Sequence, residues 1–439
     1  MELIQSNKKG RKLLYGGYIY VVDKEKEEKI YWRCEKRGYC SGRLISIGSE
    51  ISSLTQEHCH PPDMVRKDVL KVKEELKENA RKTEEITSVV INKCTDNIPL
   101  EVSGALPKKE TLARTVRRVR NSGTNEDLTV TTRGEKFLQF SSEEVNIYST
   151  LRNIQLLKTK KRWFCDGTFD CAPIGKQLYT IHAMIQDNKT LPLIYCITTH
   201  KNENTYDIIF GWLKSHDLHP DSVSVDFERS AINSVRKFFP DSEIYGCFFH
   251  FAQCLWRRIQ GLGLQSWYAD AGNAMIIKQL QALSFVPPDD VYDCFNTFIA
   301  TLDEETDGIL DEFLQYFEMT WLGIVQRGRR RRPTFEVSLW SVYERTSNDL
   351  PRTNNMLEGW HNAFKRRVTI THPTEDKLIR KLRSEQATTE MALEQVFQGN
   401  SIRRKNKKYA QVNDRLKKIV DRYSSENVLE YLHAIAHNL

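Results

Sequence analysis

KRWFCDGTF at 161–169, read together with SVSVDFE at 222–228, decides how this chain folds. Both runs are rich in β-branched and aromatic residues and both lead into an aspartate, which places Asp166 and Asp226 at or near the ends of buried strands. Working outward, KQLYTIHAMIQ (176–186) and LPLIYCITT (191–199) read as two strands joined by the turn signal DNKT (187–190). ENTYDIIFGWLKSH (203–216) is helical, with Tyr206, Ile209, Phe210 and Leu213 at three- and four-residue steps. SAINSVRKFFP (230–240) is a second helix that Pro240 helps to stop, and EIYGCFFH (243–250) is a last strand. The expected order is three strands, helix, strand, helix, strand, helix.

A third acid, Glu358, lies in TNNMLEGWH (353–361). A lone strand-end aspartate is often only a turn former or a helix N-cap, and Asp166 before Gly167 or Asp226 before Phe227 fits that reading too. The surrounding order favours chemistry. It is the order of an α/β ribonuclease H-like domain, with one acid on the first strand, one on the fourth and the third on a later helix. Burying one carboxylate costs several kcal/mol, and three repel one another unless divalent cations neutralise them. Magnesium or manganese suits such oxygen ligands, and two ions about 3.5–4 Å apart can serve the attacking and leaving oxygens of a phosphodiester. The roughly 130 residues between Asp226 and Glu358 are too many for a loop. Segments 275–285, 289–302 and 310–325 show helical periodicity, so an all-α insertion at about 256–345 interrupts the domain.

The segments CDGTF, VDFE followed by GCFFHFAQ, and TNNMLEGWHNAF resemble the catalytic core of Mutator-like element (MULE) transposases over roughly residues 135–395. The resemblance implies an Asp-Asp-Glu set that binds magnesium and cuts and joins DNA strands, falling on Asp166, Asp226 and Glu358. It also implies that Cys247 and His250 are the Cys-x-x-His element after the second acid, and that Asn354 and Asn355 are the polar pair ahead of the glutamate, all four in supporting roles. No Cys-x-Cys and Cys-x-His cluster like the SWIM finger of some relatives follows Glu358.

A second constellation lies at the N-terminus. Cys34, Cys40, His58 and His60 have the spacing C-x5-C-x17-H-x-H, and zinc wants four nitrogen or sulfur ligands in a tetrahedron. On an extended strand His58 and His60 face the same way while Cys59 points elsewhere. GGYIYVV, KIYWRC and GRLISI read as short strands of a β-rich module too small to hold together without metal. With no signal-peptide core among the first dozen residues, a reducing compartment is expected, where Cys/His clusters more often mean metal than disulfide. GGYIY, YWRC, CSGRL and HCH resemble a FLYWCH-type zinc finger, whose ligands match these four positions and which serves DNA or protein recognition.

Hydrophobic residues make up 40% and charged residues 28%, as expected for a globular protein, and no apolar run approaches a membrane span. A net charge of +7 is modest, so local clusters decide anion binding. LPKKETLARTVRRVR (106–120) places Lys108, Lys109, Arg114, Arg117 and Arg118 on a short basic helix, read with the helical stretch 68–93 as a helix-turn-helix-like DNA-binding unit or as a solvated charged face. RGRRRRP (327–333), with Arg329, Arg330, Arg331 and Arg332, and RRKNKK (403–408) suit DNA backbone contact or nuclear import. The expected divisions are a finger at 1–63, a helical segment at 64–127, a catalytic domain at 128–395 opened by an amphipathic lead-in at 135–153, and a basic helical C-terminal segment at 396–439. The reading is a nuclear, zinc- and magnesium-dependent DNA transposase that acts on double-stranded transposon ends and target DNA as a homo-oligomer. The alternatives are a domesticated DNA-binding regulator without cleavage activity and a host nuclease that cuts but never joins.

Overall fold

The computed structural model describes residues 2–5, 11–83, 85–121, 126–186, 189–327, 329–400 and 407–439. The first half of the turn expected at 187–190, residues 122–125 and residues 403–406 of the basic run 403–408 lie outside them. The chain forms two compact units, 1–126 and 127–439.

In the first unit, six strands pair in simple sequence order: β1 (Glu2–Gln5), β2 (Arg11–Tyr15), β3 (Tyr18–Lys26), β4 (Lys29–Cys34), β5 (Arg43–Ile47) and β6 (Glu50–Gln56), all antiparallel. One face buries little more than Leu13, Tyr20, Trp32 and Leu44, with the Trp32 indole N–H donating to Ser46 Oγ at 2.8 Å. The other face sets Leu14 and Ile19 against Leu70 of the first helix. Four helices follow: α1 (Met64–Lys82), α2 (Thr87–Thr95), α3 (Leu100–Ala105) and α4 (Lys109–Asn121). The Asp63 carboxylate caps α1 by accepting the Arg66 amide at 2.8 Å, and Val69, Val72, Leu76, Val90, Ile91, Leu112 and Val116 form the shared core. The single helical stretch expected over 68–93 is broken at Thr83. There the Arg120 guanidinium donates to the carbonyls of Ala80, Thr83 and Glu85 and so satisfies the end of α1.

The second unit is built on a seven-stranded sheet. Its strands are β7 (Leu138–Ser141), β8 (Val145–Tyr148), β9 (Arg162–Thr168), β10 (Gln177–Gln186), β11 (Lys189–Thr198), β12 (Ser222–Val225) and β13 (Glu243–Gly246), in the order β13-β12-β9-β10-β11-β8-β7. β9, β12 and β13 run parallel and the remaining pairs are antiparallel. α5 (Leu151–Thr159) precedes β9, α6 (Glu203–Ser215) leads from β11 to β12, α7 (Arg229–Phe238) connects the parallel strands β12 and β13, and α8 (Phe248–Gly261) follows β13. The order of elements expected from β9 to α8 is the observed one, but the last strand, expected over 243–250, stops at Gly246, and Phe248–His250 begin α8. The lead-in at 135–153 adds the β7–β8 hairpin, which pairs with β11 and extends the sheet.

Alternation along the strands feeds two cores. Trp163, Cys165, Ile181 and Val223 pack with Ile209, Phe210 and Val235 from α6 and α7. Leu178, Tyr195 and Ile197 pack on the opposite face with Phe364 and Leu382 of two later helices. Between α8 and those helices run α9 (Gln265–Tyr268), α10 (Ala271–Ala282), α11 (Val291–Ile299), α12 (Glu304–Phe317), a π-helical turn at Glu318–Leu322, the hairpin β14 (Val325–Gln326) and β15 (Arg329–Arg330), α13 (Val337–Trp340) and α14 (Tyr343–Ser347). Then come α15 (Asn355–Val368), α16 (Glu375–Phe397), α17 (Lys407–Val420) and α18 (Val428–Ala436). α17 and α18 contribute Leu416, Val420, Leu432 and Ile435 to the core of the intervening helices.

That helical core is aromatic at its centre. Phe251 stacks on Trp340 at 5.0 Å and meets Trp321 edge-on at 4.9 Å. Phe227, the residue after Asp226, inserts edge-on against Trp321 at 4.9 Å, so the sheet end and the helical region are packed as one piece. Gly246 makes this possible, since a Cβ there would come within 2.4 Å of the Phe227 ring. Trp340 is fully buried, and Trp340→Ala is expected to cost about 3–5 kcal/mol in a denaturant titration of the full chain. A loss under about 1 kcal/mol would contradict its central place in this core.

Candidate metal centres

The four N-terminal ligands converge. Cys34, Cys40, His58 and His60 offer atoms that all lie within 4.8 Å of one another. Cys34 Sγ is 3.3 Å from His60 Nε2 and Cys40 Sγ is 3.2 Å from His58 Nδ1, close to the ~3.5 Å edge of a zinc tetrahedron with sulfur and nitrogen ligands. The outer ring nitrogens are already engaged: His58 Nε2 meets the Tyr20 hydroxyl at 2.7 Å and His60 Nδ1 meets the Pro61 carbonyl at 2.8 Å. Such partners fix the tautomer that leaves the inward nitrogens free for metal. Tyr18 stacks flat on His58 at 3.7 Å. Cys59 is exposed and donates to the Tyr39 carbonyl, with its thiol also beside Cys40; residues 57–60 follow β6 and are not strand, so the strand alternation expected for His58 and His60 is not what brings them together. The donor set fits a structural zinc ion.

Gly42 is the least replaceable neighbour. Its carbonyl accepts the Cys34 amide at 2.8 Å, and a Cβ on it would stand 2.6 Å from the His58 ring.

The three acids lie on the sheet and on the helix beside it. Asp166 is buried near the end of β9, with Oδ1 accepting the Gly167 amide at 2.8 Å. Asp226 immediately follows the neighbouring parallel strand β12. Glu358 sits in the first turn of α15. Part of Asp226 still reaches solvent, yet surrounding protein bulk, then the charges of Asp166 and Glu228, push its carboxyl up to about 7. Desolvation and then the charge of Asp166 likewise raise Glu358. Glu358 Oε1 is buried without a hydrogen-bond partner. Mutual repulsion and an unsatisfied carboxylate oxygen are what a cation would relieve. Among the described residues the N-terminal quartet forms a convergent metal-ligand cluster, and the three acids do not form another.

Cys247 and His250 explain themselves through α15. Cys247 Sγ accepts the Asn354 amide at 3.1 Å, the Phe248 amide donates to the Arg352 carbonyl at 3.0 Å, and His250 Nε2 lies 3.7 Å from Glu358 Oε1. The pair therefore fixes where α15 starts. Asn354 is the N-cap residue of α15, but its side chain makes no capping bond, and its carbonyl accepts the Leu357 and Glu358 amides instead. Asn355 is exposed at the helix start.

Sequence reasoning passed over His361. Its Nδ1 lies 3.5 Å from Asp166 Oδ2 and its Nε2 3.4 Å from Thr180 Oγ1. Its position three residues after Glu358 put it on the same helix face, which was the available signal. Glu228, two residues past Asp226, accepts the Tyr206 hydroxyl at 3.1 Å and was also missed.

Of the basic candidates, Lys108, Lys109, Arg114, Arg117 and Arg118 are exposed at the start of α4 or along it. Arg329 and Arg330 form one strand of the β14–β15 hairpin, Arg331 and Arg332 follow it, and all four are exposed, with the Arg330 guanidinium 3.3 Å from the Tyr292 ring centre.

Residues 3–60 match the FLYWCH zinc finger domain and residues 162–254 match the MULE transposase domain. The chain carries both domains. Among curated proteins it is similar to the mouse FLYWCH-type zinc finger-containing protein 1, 33% identical over 17% of this chain and 11% of that protein. The human protein of the same name is 31% identical over 18% of this chain and 12% of its own length. The chain thus spans about a tenth of the length of these relatives. The chain joins a FLYWCH finger with four convergent ligands to a MULE transposase domain. Among the described residues no helix is long and apolar enough to cross a membrane.

Metal analysis of the purified chain is expected to give one zinc per molecule, absent in Cys40→Ser and His60→Ala and strongly reduced in Gly42→Ala. Undiminished zinc in Cys40→Ser would remove that thiol from the site.

Proposed function

We propose that the chain is a DNA transposase that cuts and joins strands at Asp166, Asp226 and Glu358, on a ribonuclease H-like scaffold, in the nucleus. The observation that carries this reading is the placement of the three carboxylates, Asp166 and Asp226 at neighbouring parallel strands and Glu358 in the first turn of α15, with the charge of Asp166 raising both of the others. The scaffold reading is supported by the strand order, in which three antiparallel strands are followed by two that join the edge of the first in parallel. These three acids would hold two magnesium or manganese ions, which when bound polarise water and phosphate oxygens.

The chain's own groups do the positioning. His361 steadies the Asp166 carboxylate, while Cys247 and His250 set the start of α15 and with it Glu358. Water attacks phosphorus at the element end, the P–O3′ bond breaks, and the fragments leave with a 3′ hydroxyl and a 5′ phosphate. That hydroxyl then attacks a target phosphodiester, forming a new P–O3′ bond and displacing the target's own 3′ oxygen. No covalent protein intermediate is needed. Joining two element ends to a target suits a homo-oligomer holding two duplexes.

A second reading is a domesticated regulator that binds DNA without cutting. It is supported by the metal-ligand clusters among the described residues, which include the finger quartet and not the three acids.

Incubating the chain with element-end duplexes and magnesium or manganese separates the two readings. Asp166→Asn, Asp226→Asn and Glu358→Gln are each expected to lower nicking and strand transfer by at least ~10³-fold with DNA affinity preserved. Wild-type protein that binds but leaves DNA intact would establish the regulator, and full cleavage in any one variant would remove that residue from the site.

A further inference from the structure

In the first unit a groove of about 460 Å³ opens between the finger and its helices. Strand β2 supplies Lys12, α1 supplies Arg66, Lys73 and Lys77, and α4 supplies Arg114 and Arg118. Three elements widely separated in sequence therefore turn six cations toward one space. Glu74 is the one acid in the lining, and it pairs with Lys77 at 3.1 Å. Glu35, outside the lining, takes Lys12 at 2.7 Å and Arg66 at 3.4 Å. Two carboxylates against six cations leave an excess of positive charge facing the groove, which suits an anionic ligand. Lys73 shows the strain most clearly: half-buried, it is held below the usual lysine range first by desolvation and then by the charges of Arg66, Lys77 and Lys12.

We infer that this groove is a composite phosphate clamp, in which the finger, α1 and α4 together grip the phosphodiester backbone of DNA. The inference rests on the DNA-binding reading above and locates it on particular residues. Arg114 and Arg118, four apart on α4, share the face that lines the groove, whereas Arg117 is turned out of it. The lining holds no aromatic ring on which a base could stack, and its apolar floor is Leu70, Leu76, Leu112 and Pro107. Guanidinium and ammonium groups over such a floor suit phosphate oxygens and carry no base code. The helical segment and the finger thus act as one binding element, and the finger alone holds only part of the phosphate-gripping surface.

Salt dependence tests this on the full chain. Binding to duplex DNA is followed by fluorescence anisotropy between about 50 and about 200 mM salt. The double variant Lys73→Gln with Arg118→Gln is expected to flatten the log–log salt slope by about two, one for each cation withdrawn from a phosphate. Lys158→Gln with Lys237→Gln removes the same charge where acids already neutralise it, at Asp217 and Asp207, and is expected to keep the wild-type slope. Lys73→Arg with Arg118→Lys keeps the groove's charge and is expected to behave as wild type. Unchanged zinc content and melting temperature show that each variant is folded. An equal change in the groove pair and the control pair would overturn the clamp. So would a wild-type DNA slope in the groove pair combined with abolished binding to polyglutamate, which would instead assign the groove to an acidic protein. No DNA binding by the wild-type chain at all would overturn the DNA-binding reading itself.

Discussion

Repulsion among carboxylates beside the sheet is the constraint from which the rest of the second unit follows. Asp166 and Asp226 stand at neighbouring parallel strands, and the helix carrying Glu358 covers the same region, so three like charges share surroundings that solvate them poorly. Left alone, such groups shift toward their neutral forms, as Asp226 does. Much of the surrounding architecture holds them in place regardless. Phe227 is locked into the aromatic core of the helical region, Gly246 leaves room for that ring, and Cys247 pins the start of α15 through the Asn354 amide.

The zinc finger answers a different deficit. A core of Leu13, Tyr20, Trp32 and Leu44 is small, and a metal tying β4, the following loop and the segment after β6 supplies cohesion that burial cannot. The same unit then adds four helices with a core of their own, and β2 lends Lys12 to a groove made largely by those helices.

What could be read in the sequence was whatever local pattern fixes. The apolar runs ending in Asp166 and Asp226 gave the strands, the three- and four-residue steps of Tyr206 to Leu213 gave α6, and C-x5-C-x17-H-x-H gave the zinc ligands. What could not be read depends on partners distant in the chain. β7 and β8 are short, and they become strands because β11 offers an edge. The break after α1 has no proline or glycine to announce it; Arg120, far along the chain, satisfies the exposed carbonyls. His361 gains its meaning only when α15 lies beside β9. The basic groove likewise combines residues from three elements, none of which is conspicuous alone.

The account stands or falls on whether the three acids accept metal. Anomalous diffraction from crystals soaked in manganese reads this directly, with the zinc site as an internal reference. The account predicts manganese peaks in contact with Asp166, Asp226 and Glu358 and none in an Asp226→Asn crystal. Strong zinc signal at the finger with no manganese near any of the three acids would contradict it.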